Sequence, residues 1–274
     1  WSEPANERIL RSTLNGTDLE VYRSGLANPY GVVVDLAEAM IYWAVYQKIQ
    51  RAHLSDDSGV EDWITGLQFP SGLALDETNR MLYWADWTAD KIQRKSLDGG
   101  SLEDVATGED TPSCVAVDVD NEQVYWVNFG DGKVYSRYIG LTDPKVEVAS
   151  GLQSPYGIVV DTTYGKLFWS NKASNTIQRW TLGASSEQPE TFLSGLDGPM
   201  GLTIDLESET LYWLSQGTQM VNRAKLDGSS GVEDVVTAGG DAFYLSVGYY
   251  AELEISSTTT SSTGSRSTAT TEST

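Results

Sequence analysis

Five tryptophans recur along this chain behind an aromatic residue: Tyr42-Trp43, Tyr83-Trp84, Tyr125-Trp126, Phe168-Trp169 and Tyr212-Trp213. Successive tryptophans lie 41, 42, 43 and 44 residues apart. Asp35, Asp76, Asp118, Asp161 and Asp205 keep the same phase, each eight residues ahead of its tryptophan. Two residue types in step five times over mark one supersecondary unit that has been copied, so the chain must fold as a repeat array.

Each unit holds four strand-like pieces. The first is a short apolar run ending in the aspartate: GVVVD (31–35), GLALD (72–76), CVAVD (114–118), GIVVD (157–161) and GLTID (201–205). Such runs suit a strand buried on both faces. The second carries the aromatic pair. The third alternates apolar and polar residues, as in KIQRAHL, KIQRKSL and TIQRWTL. The fourth is shorter and more polar, as in VEDWIT (60–65) and VEDVVT (232–237). Asp98-Gly99, Asp131-Gly132 and Asp227-Gly228 supply turns. Four short strands with tight connections make an antiparallel meander. One such sheet cannot bury both faces alone, but sheets stacked radially about an axis can. A tryptophan wedged between neighbouring sheets would remove roughly 150–250 Å² from water.

The ends set the blade count. Residues 8–26 match the third and fourth strands of a unit, and residues 242–248 match a first strand, with LEIS (253–256) expected as its second. The expected fold is therefore an all-β, six-bladed β-propeller of four-stranded antiparallel blades, closed by pairing of the N- and C-terminal segments. Radial repetition leaves only short, protected sheet edges. The expected divisions are an N-terminal lead (1–8), the propeller (9–255) and a flexible Ser/Thr-rich tail (256–274).

The pattern Pro-x-Gly with an apolar run and Asp, then Tyr-Trp, then Ile-x-Arg and Leu-Asp-Gly resembles the YWTD repeat, the low-density-lipoprotein-receptor class B repeat. It is clearest in residues 70–99 and extends over about residues 9–248. The glycine-histidine dipeptide of WD40 repeats, which are of similar length, is absent. The resemblance implies a six-bladed propeller that is extracellular or at the cell surface and binds partner proteins. The family's Thr-Asp after Tyr-Trp is largely lost: Ala44-Val45, Ala85-Asp86, Val127-Asn128, Ser170-Asn171 and Leu214-Ser215 stand there, and only Asp86 keeps the acid. In the family that position is mainly structural. Receptor propellers of this kind are flanked by cysteine-rich modules, and none is visible here. Those that release ligand in acid use histidines, and this chain offers only His53.

Composition narrows the partners. A formal net charge of −21 argues against nucleic acid and anionic membrane surfaces and favours basic partners. No apolar stretch reaches the 18 residues that would suggest a membrane span. The sequence opens on Trp1 and is expected to be a processed or excised piece of a longer chain. Cys114, the single cysteine, allows no internal disulfide and stands where other repeats carry glycine, which suits a buried, inert thiol. Asn15-Gly16-Thr17 is an N-glycosylation sequon.

One face of the propeller gathers the residues before each first strand and the loops after each second strand. Three residues beyond the repeat tryptophans, Tyr46, Trp87 and Phe129 occupy the same loop position in three consecutive blades, where the last two blades carry Lys172 and Gln216. Tyr30 and Tyr156 flank them, with Asp86, Asp90, Glu109, Asp110 and Asp131 close in sequence. Aromatics beside carboxylates suit a protein or peptide partner with basic or amide groups, and the candidate contact set is Tyr46, Trp87, Phe129, Tyr30, Tyr156, Asp86, Asp110 and Asp131. Propellers also host lactonase-type enzymes, whose sites need a metal or a histidine near the axis. With one histidine, on a third strand, no such set is assembled, so no enzyme activity, cofactor or metal is expected. The repeat aspartates are expected to hold strand ends. A building block of an extracellular matrix, cell wall or surface appendage is the alternative to a binding module.

Overall fold

The computed structural model describes residues 1–248 apart from 56–58, 142, 185–186 and 240. The described residues form five four-stranded antiparallel sheets and a three-stranded one that closes the ring. In the closing blade, β1 (Ser2–Glu3), β2 (Arg8–Arg11) and β3 (Glu20–Ser24) lie side by side. The first complete blade is β4 (Val32–Asp35), β5 (Met40–Val45), β6 (Lys48–His53) and β7 (Glu61–Thr65). Four more follow in the same order, with first strands Pro70–Asp76, Pro112–Asp118, Pro155–Asp161 and Pro199–Asp205. Successive first strands pack against one another about the axis. All six blades are accounted for, as the repeat count requires.

The inner ring is drawn together by bonds from blade to blade. Ser71 Oγ donates to Ser113 O (2.9 Å), Ser113 Oγ to Tyr156 O (2.8 Å) and Ser170 Oγ to Met200 O (2.6 Å). Gly31 N donates to Ser71 O and Gly201 N to Phe243 O, both at 3.0 Å. At Gly31, Gly157 and Gly201 a β-carbon would run into the backbone of the next blade, which is why the repeat keeps glycine there. Cys114, at the equivalent place in blade three, is buried, and burial pushes its thiol up to about 11.

Every repeat tryptophan is fully buried and packs among residues of the preceding blade as well as its own: Trp84 lies with Tyr42, Ile49 and Ile64, and Trp126 with Tyr83, Ile92 and Val105. The third-strand KIQR motif explains itself in this setting. Its glutamine faces the tryptophan and accepts the indole N–H, at 3.0 Å for Gln50, 3.2 Å for Gln93 and 3.1 Å for Gln178. Its arginine pairs with a glutamate on the fourth strand and reaches the next blade. Arg94 binds Glu103 and the Ile139 carbonyl, Arg179 binds Glu190 and the Leu226 carbonyl, and Arg223 binds Glu233 and the Leu14 carbonyl. Each repeat aspartate is buried and accepts backbone N–H groups of the turn that follows it, as Asp76 does from Asn79 (2.8 Å) and Asp161 from Thr163 and Tyr164 (both 3.0 Å).

Two of the complete blades break the glutamine rule. Blade three has Tyr135 opposite Trp126, and the indole instead donates to Glu109 (2.9 Å). Blade five has Asn222 opposite Trp213. Among the described residues the shorter amide leaves Trp213 Nε1 and its own Oδ1 without a partner, while its Nδ2 donates to Asp234 (2.6 Å). Lengthening Asn222 to glutamine should restore the bond made in blades one, two and four and add about 1 kcal/mol to the stability, measured by urea denaturation. No gain would mean that the extra methylene costs as much in packing as the bond returns.

The second strand expected at 253–256 for the closing blade lies outside the described residues, as does the tail at 256–274. The structure places Ser2–Glu3, within the expected N-terminal lead, beside β2, with Ser2 opposite Ile9 and Glu3 opposite Arg8. Trp1 N and O both bond Leu10 at 2.8 Å, so Trp1 faces Leu10 as Trp43 faces Gln50. Trp1 is therefore the tryptophan of the sixth blade, 42 residues before Trp43. Ser2 N donates to Tyr244 O (3.1 Å), joining the chain ends. A strand needs only in-register backbone partners, and the N-terminus supplies them here.

Candidate interaction face

The loops before the first strands and those after the second strands meet at one end of the propeller, as their backbone bonds show. Tyr30 N donates to Ala44 O (2.8 Å), Trp87 N to Phe69 O (2.9 Å), Phe129 N to Thr111 O (3.1 Å), Lys172 N to Ser154 O (3.0 Å) and Gln216 N to Gly198 O (3.0 Å). The bond from the residue three after the tryptophan repeats in blades two to five, where the loops have matched lengths, and fixes that residue at this end of the axis; in blade one Tyr30 bonds Ala44 instead.

Aromatic rings form a continuous row across this end. Ring-centroid separations are 6.1 Å for Tyr46–Phe69, 4.8 Å for Phe69–Tyr30, 6.0 Å for Tyr30–Phe243, 6.1 Å for Phe243–Tyr156, 6.3 Å for Tyr156–Trp87 and 5.1 Å for Trp87–Phe129. These spacings and tilts suit favourable ring quadrupole contacts. Tyr244 packs against Tyr156 at 5.5 Å with the rings tilted by 36°, and its hydroxyl reaches blade three to donate to Ser113 O (2.7 Å). Burial pushes the phenols of Tyr30 and Tyr156 up, so both stay neutral. Tyr46 is 58 % exposed, while Tyr30, Phe69, Trp87, Phe129 and Phe243 are half-buried with one side open.

The expected contact residues divide accordingly. Tyr46, Trp87, Phe129 and Tyr30 are brought together at the surface. Tyr156 is buried and serves as the floor on which the others rest. Asp110 and Asp131 are exposed, as is Asp90; Asp131 also accepts from Tyr135 OH (3.0 Å). Asp86 corrects the reading. It is 1 % exposed, and its oxygens accept from the backbone N–H of Gln68 (2.9 Å), Phe69 (2.8 Å) and Ala89 (3.2 Å). It holds the loop that carries Phe69 and cannot meet a partner. Glu109 is likewise buried, taken up by Trp126, Asn128 (3.0 Å) and Lys145 (2.8 Å). Phe69 and Phe243 were not in the expected set, although Phe69 precedes a repeat proline as Asn28 does in blade one. Phe243 is invisible to the repeat pattern because it joins the row only when the ends meet.

Other reactive groups lie elsewhere. His53 ends β6 at the opposite end of blade one, exposed, with Nδ1 2.8 Å from Ser55 Oγ. Among the described residues, no three His, Cys, Asp or Glu side chains cluster as a metal site would require, and no helix is long and apolar enough to cross a membrane. Asn15 sits on an exposed turn, its Oδ1 accepting from Thr17 N (3.3 Å) and Thr17 Oγ1 (3.0 Å).

No family model matches the sequence, and a search of curated proteins gave no match. Solved structures do resemble it. The nidogen propeller of the nidogen/laminin complex superposes with a TM-score of 0.78 at 20 % identity, covering 88 % of this chain and 95 % of that one. A gluconolactonase from Xanthomonas campestris gives 0.67 at 17 % identity, covering 78 % of each chain. Virginiamycin B lyase from Staphylococcus aureus gives 0.63 at 15 % identity, covering 84 % of this chain and 78 % of that one. At these identities the likeness concerns architecture, and it agrees with the sheet topology: the chain is an all-β, six-bladed propeller.

Proposed function

We propose that the protein is a non-enzymatic, extracellular interaction module that docks a protein or peptide partner on the aromatic face. The observation that carries this reading is the row of mutually packed rings from Tyr46 to Phe129, open on one side and rimmed by Asp90, Asp110 and Asp131. Rigid aromatics that need no reordering on binding are the usual anchors of interfaces. The acidic rim and the overall charge of −21 favour a partner presenting Lys, Arg or amide groups. The nidogen likeness supports a protein partner, and the exposed sequon at Asn15 is consistent with an extracellular glycoprotein. Lactonase and lyase propellers share the fold, so the fold is neutral on catalysis. Binding is favoured because the rings fill the channel mouth where an enzyme would gather polar groups.

The test begins with laminin, the partner named for the nidogen neighbour, and with proteins captured on the immobilised chain. Trp87→Ala with Phe129→Ala is expected to weaken the interaction by about 2 kcal/mol or more, roughly 30-fold. Asp110→Lys, on the exposed rim, should slow association without altering the fold. Unchanged affinity in the folded double variant would overturn the reading.

A further inference from the structure

The aromatic face carries hydrogen-bond donors that the fold does not use. Among the described residues, the indole N–H of Trp87 and the hydroxyls of Tyr30 and Tyr46 have no hydrogen-bond partner, and all three open to solvent. The repeat indoles of Trp43, Trp84, Trp126 and Trp169, by contrast, are spent on side chains inside the blades. Neighbouring rings in the row also do not lie flat on one another. Tyr46 and Phe69 meet at 66°, Phe69 and Tyr30 at 57°, and Trp87 and Phe129 at 41°. Rings set at such angles leave wedge-shaped gaps between them. Acids gather at the Phe129 end of the row. Thr111 accepts from Phe129 N (3.1 Å) through its carbonyl and donates its N–H to Asp90 Oδ1 (3.4 Å). Asp110 precedes Thr111, and Asp131 lies two residues beyond Phe129.

We infer that the segment received by this row is a proline-rich, left-handed extended helix with Lys or Arg at the end that lies over Phe129; this rests on the reading of the face as an interaction surface. Hydrogen bonding points to such an occupant first. The row offers donors and apolar ring faces. Proline has no N–H, and a polyproline helix makes no internal hydrogen bonds, so its carbonyls stand free to accept from Trp87, Tyr30 and Tyr46. An extended strand on the same rings would bring N–H groups with nothing to receive them, which is costly once they are desolvated. An α-helix would keep its carbonyls to itself and leave the three donors unmatched. Shape agrees. Pyrrolidine rings seat in gaps between aromatic side chains, and two residues of a polyproline helix rise about 6 Å. Successive rings of the row are 4.8 to 6.3 Å apart, so one step of the row matches about one dipeptide. Both surfaces are stiff beforehand, because the rings hold one another in place and the helix is preformed, so little ordering entropy is lost on contact. Charge then orients the segment, with its cationic end over Asp90, Asp110 and Asp131.

The test uses the full chain and a fluorescein-labelled oligoproline peptide ending in paired lysines, followed by fluorescence anisotropy. Saturable binding is expected. A control peptide with the same lysines but alternating glycine and alanine in place of proline should bind about tenfold more weakly, because it is flexible and brings N–H groups. Trp87→Phe keeps a ring and removes only the indole donor, and the folded variant should bind the proline peptide about fivefold more weakly, the effect of one lost hydrogen bond. Replacing the paired lysines by glutamates should weaken binding and abolish its sensitivity to salt. Equal affinity for the proline and control peptides, unchanged affinity in Trp87→Phe, or no binding of the proline peptide would each overturn the assignment. Binding of chitohexaose where the peptide fails would give the rings to a glycan instead. The two readings of the face fail separately. A partner protein that is lost in Trp87→Ala with Phe129→Ala, beside a proline peptide that never binds, leaves the interaction surface standing and sinks the proline-rich occupant.

Discussion

Trp84→Ala is expected to lower the free energy of unfolding by about 3–5 kcal/mol, the range for deleting a buried aromatic that neighbours cannot collapse around. Trp84 has no exposed surface, and it fills the seam between blades one and two among Tyr42, Ala44, Ile49, Ile64 and Leu67. Its loss also leaves Gln93 without the indole that its Oε1 accepts from. Domains of this kind are held by only about 5–15 kcal/mol, so the variant should unfold at a much lower urea concentration. Trp84→Phe keeps most of the wedge and should fall between. A loss below about 1 kcal/mol for the alanine variant would mean that the seams between blades do not carry the stability.

Gly201→Val is expected to cost on the order of 3 kcal/mol, at the upper end for overpacking, because nothing nearby can give way. A β-carbon there would sit 2.5 Å from Phe243 O and 2.9 Å from Tyr244 Cα, both backbone atoms of the C-terminal segment that closes the ring. The substitution opposes the Gly201 N to Phe243 O bond and the seating of Tyr244 against Tyr156. It should therefore loosen closure and the interaction face together. Gly231→Ala is the matched control: its added carbon meets nothing within 4 Å, and the change should stay within about 0.5 kcal/mol. Thermal unfolding of both variants checks the contrast. Equal effects would show that blade spacing is looser than the inner-ring bonds indicate.

Much of the architecture is legible in residues alone. Tyr-Trp spacing, the phased aspartates and the alternating third strands name the repeat, and matched loop lengths place Tyr46, Trp87 and Phe129 on one face. The repeat pattern also hid things. Trp1 lies 42 residues before Trp43, in rhythm with the others, yet no aromatic pair marks it. Asp86 and Glu109 looked like rim acids, and their buried roles depend on which backbone and indole N–H groups fold against them. The Glu109 substitution did leave a trace, since blade three puts Tyr135 where KIQR has glutamine.

The sequence by itself determined the period, the strand order within a blade and the number of blades, because these follow from local alternation and turn chemistry repeated at fixed intervals. Only the tertiary structure decided which terminal residues complete the closing blade, which acids are spent inside, and that Phe69 and Phe243 join the aromatic row. Those outcomes depend on contacts between residues as far apart as Ser2 and Tyr244. Such contacts have no period along the chain, because ring closure creates them.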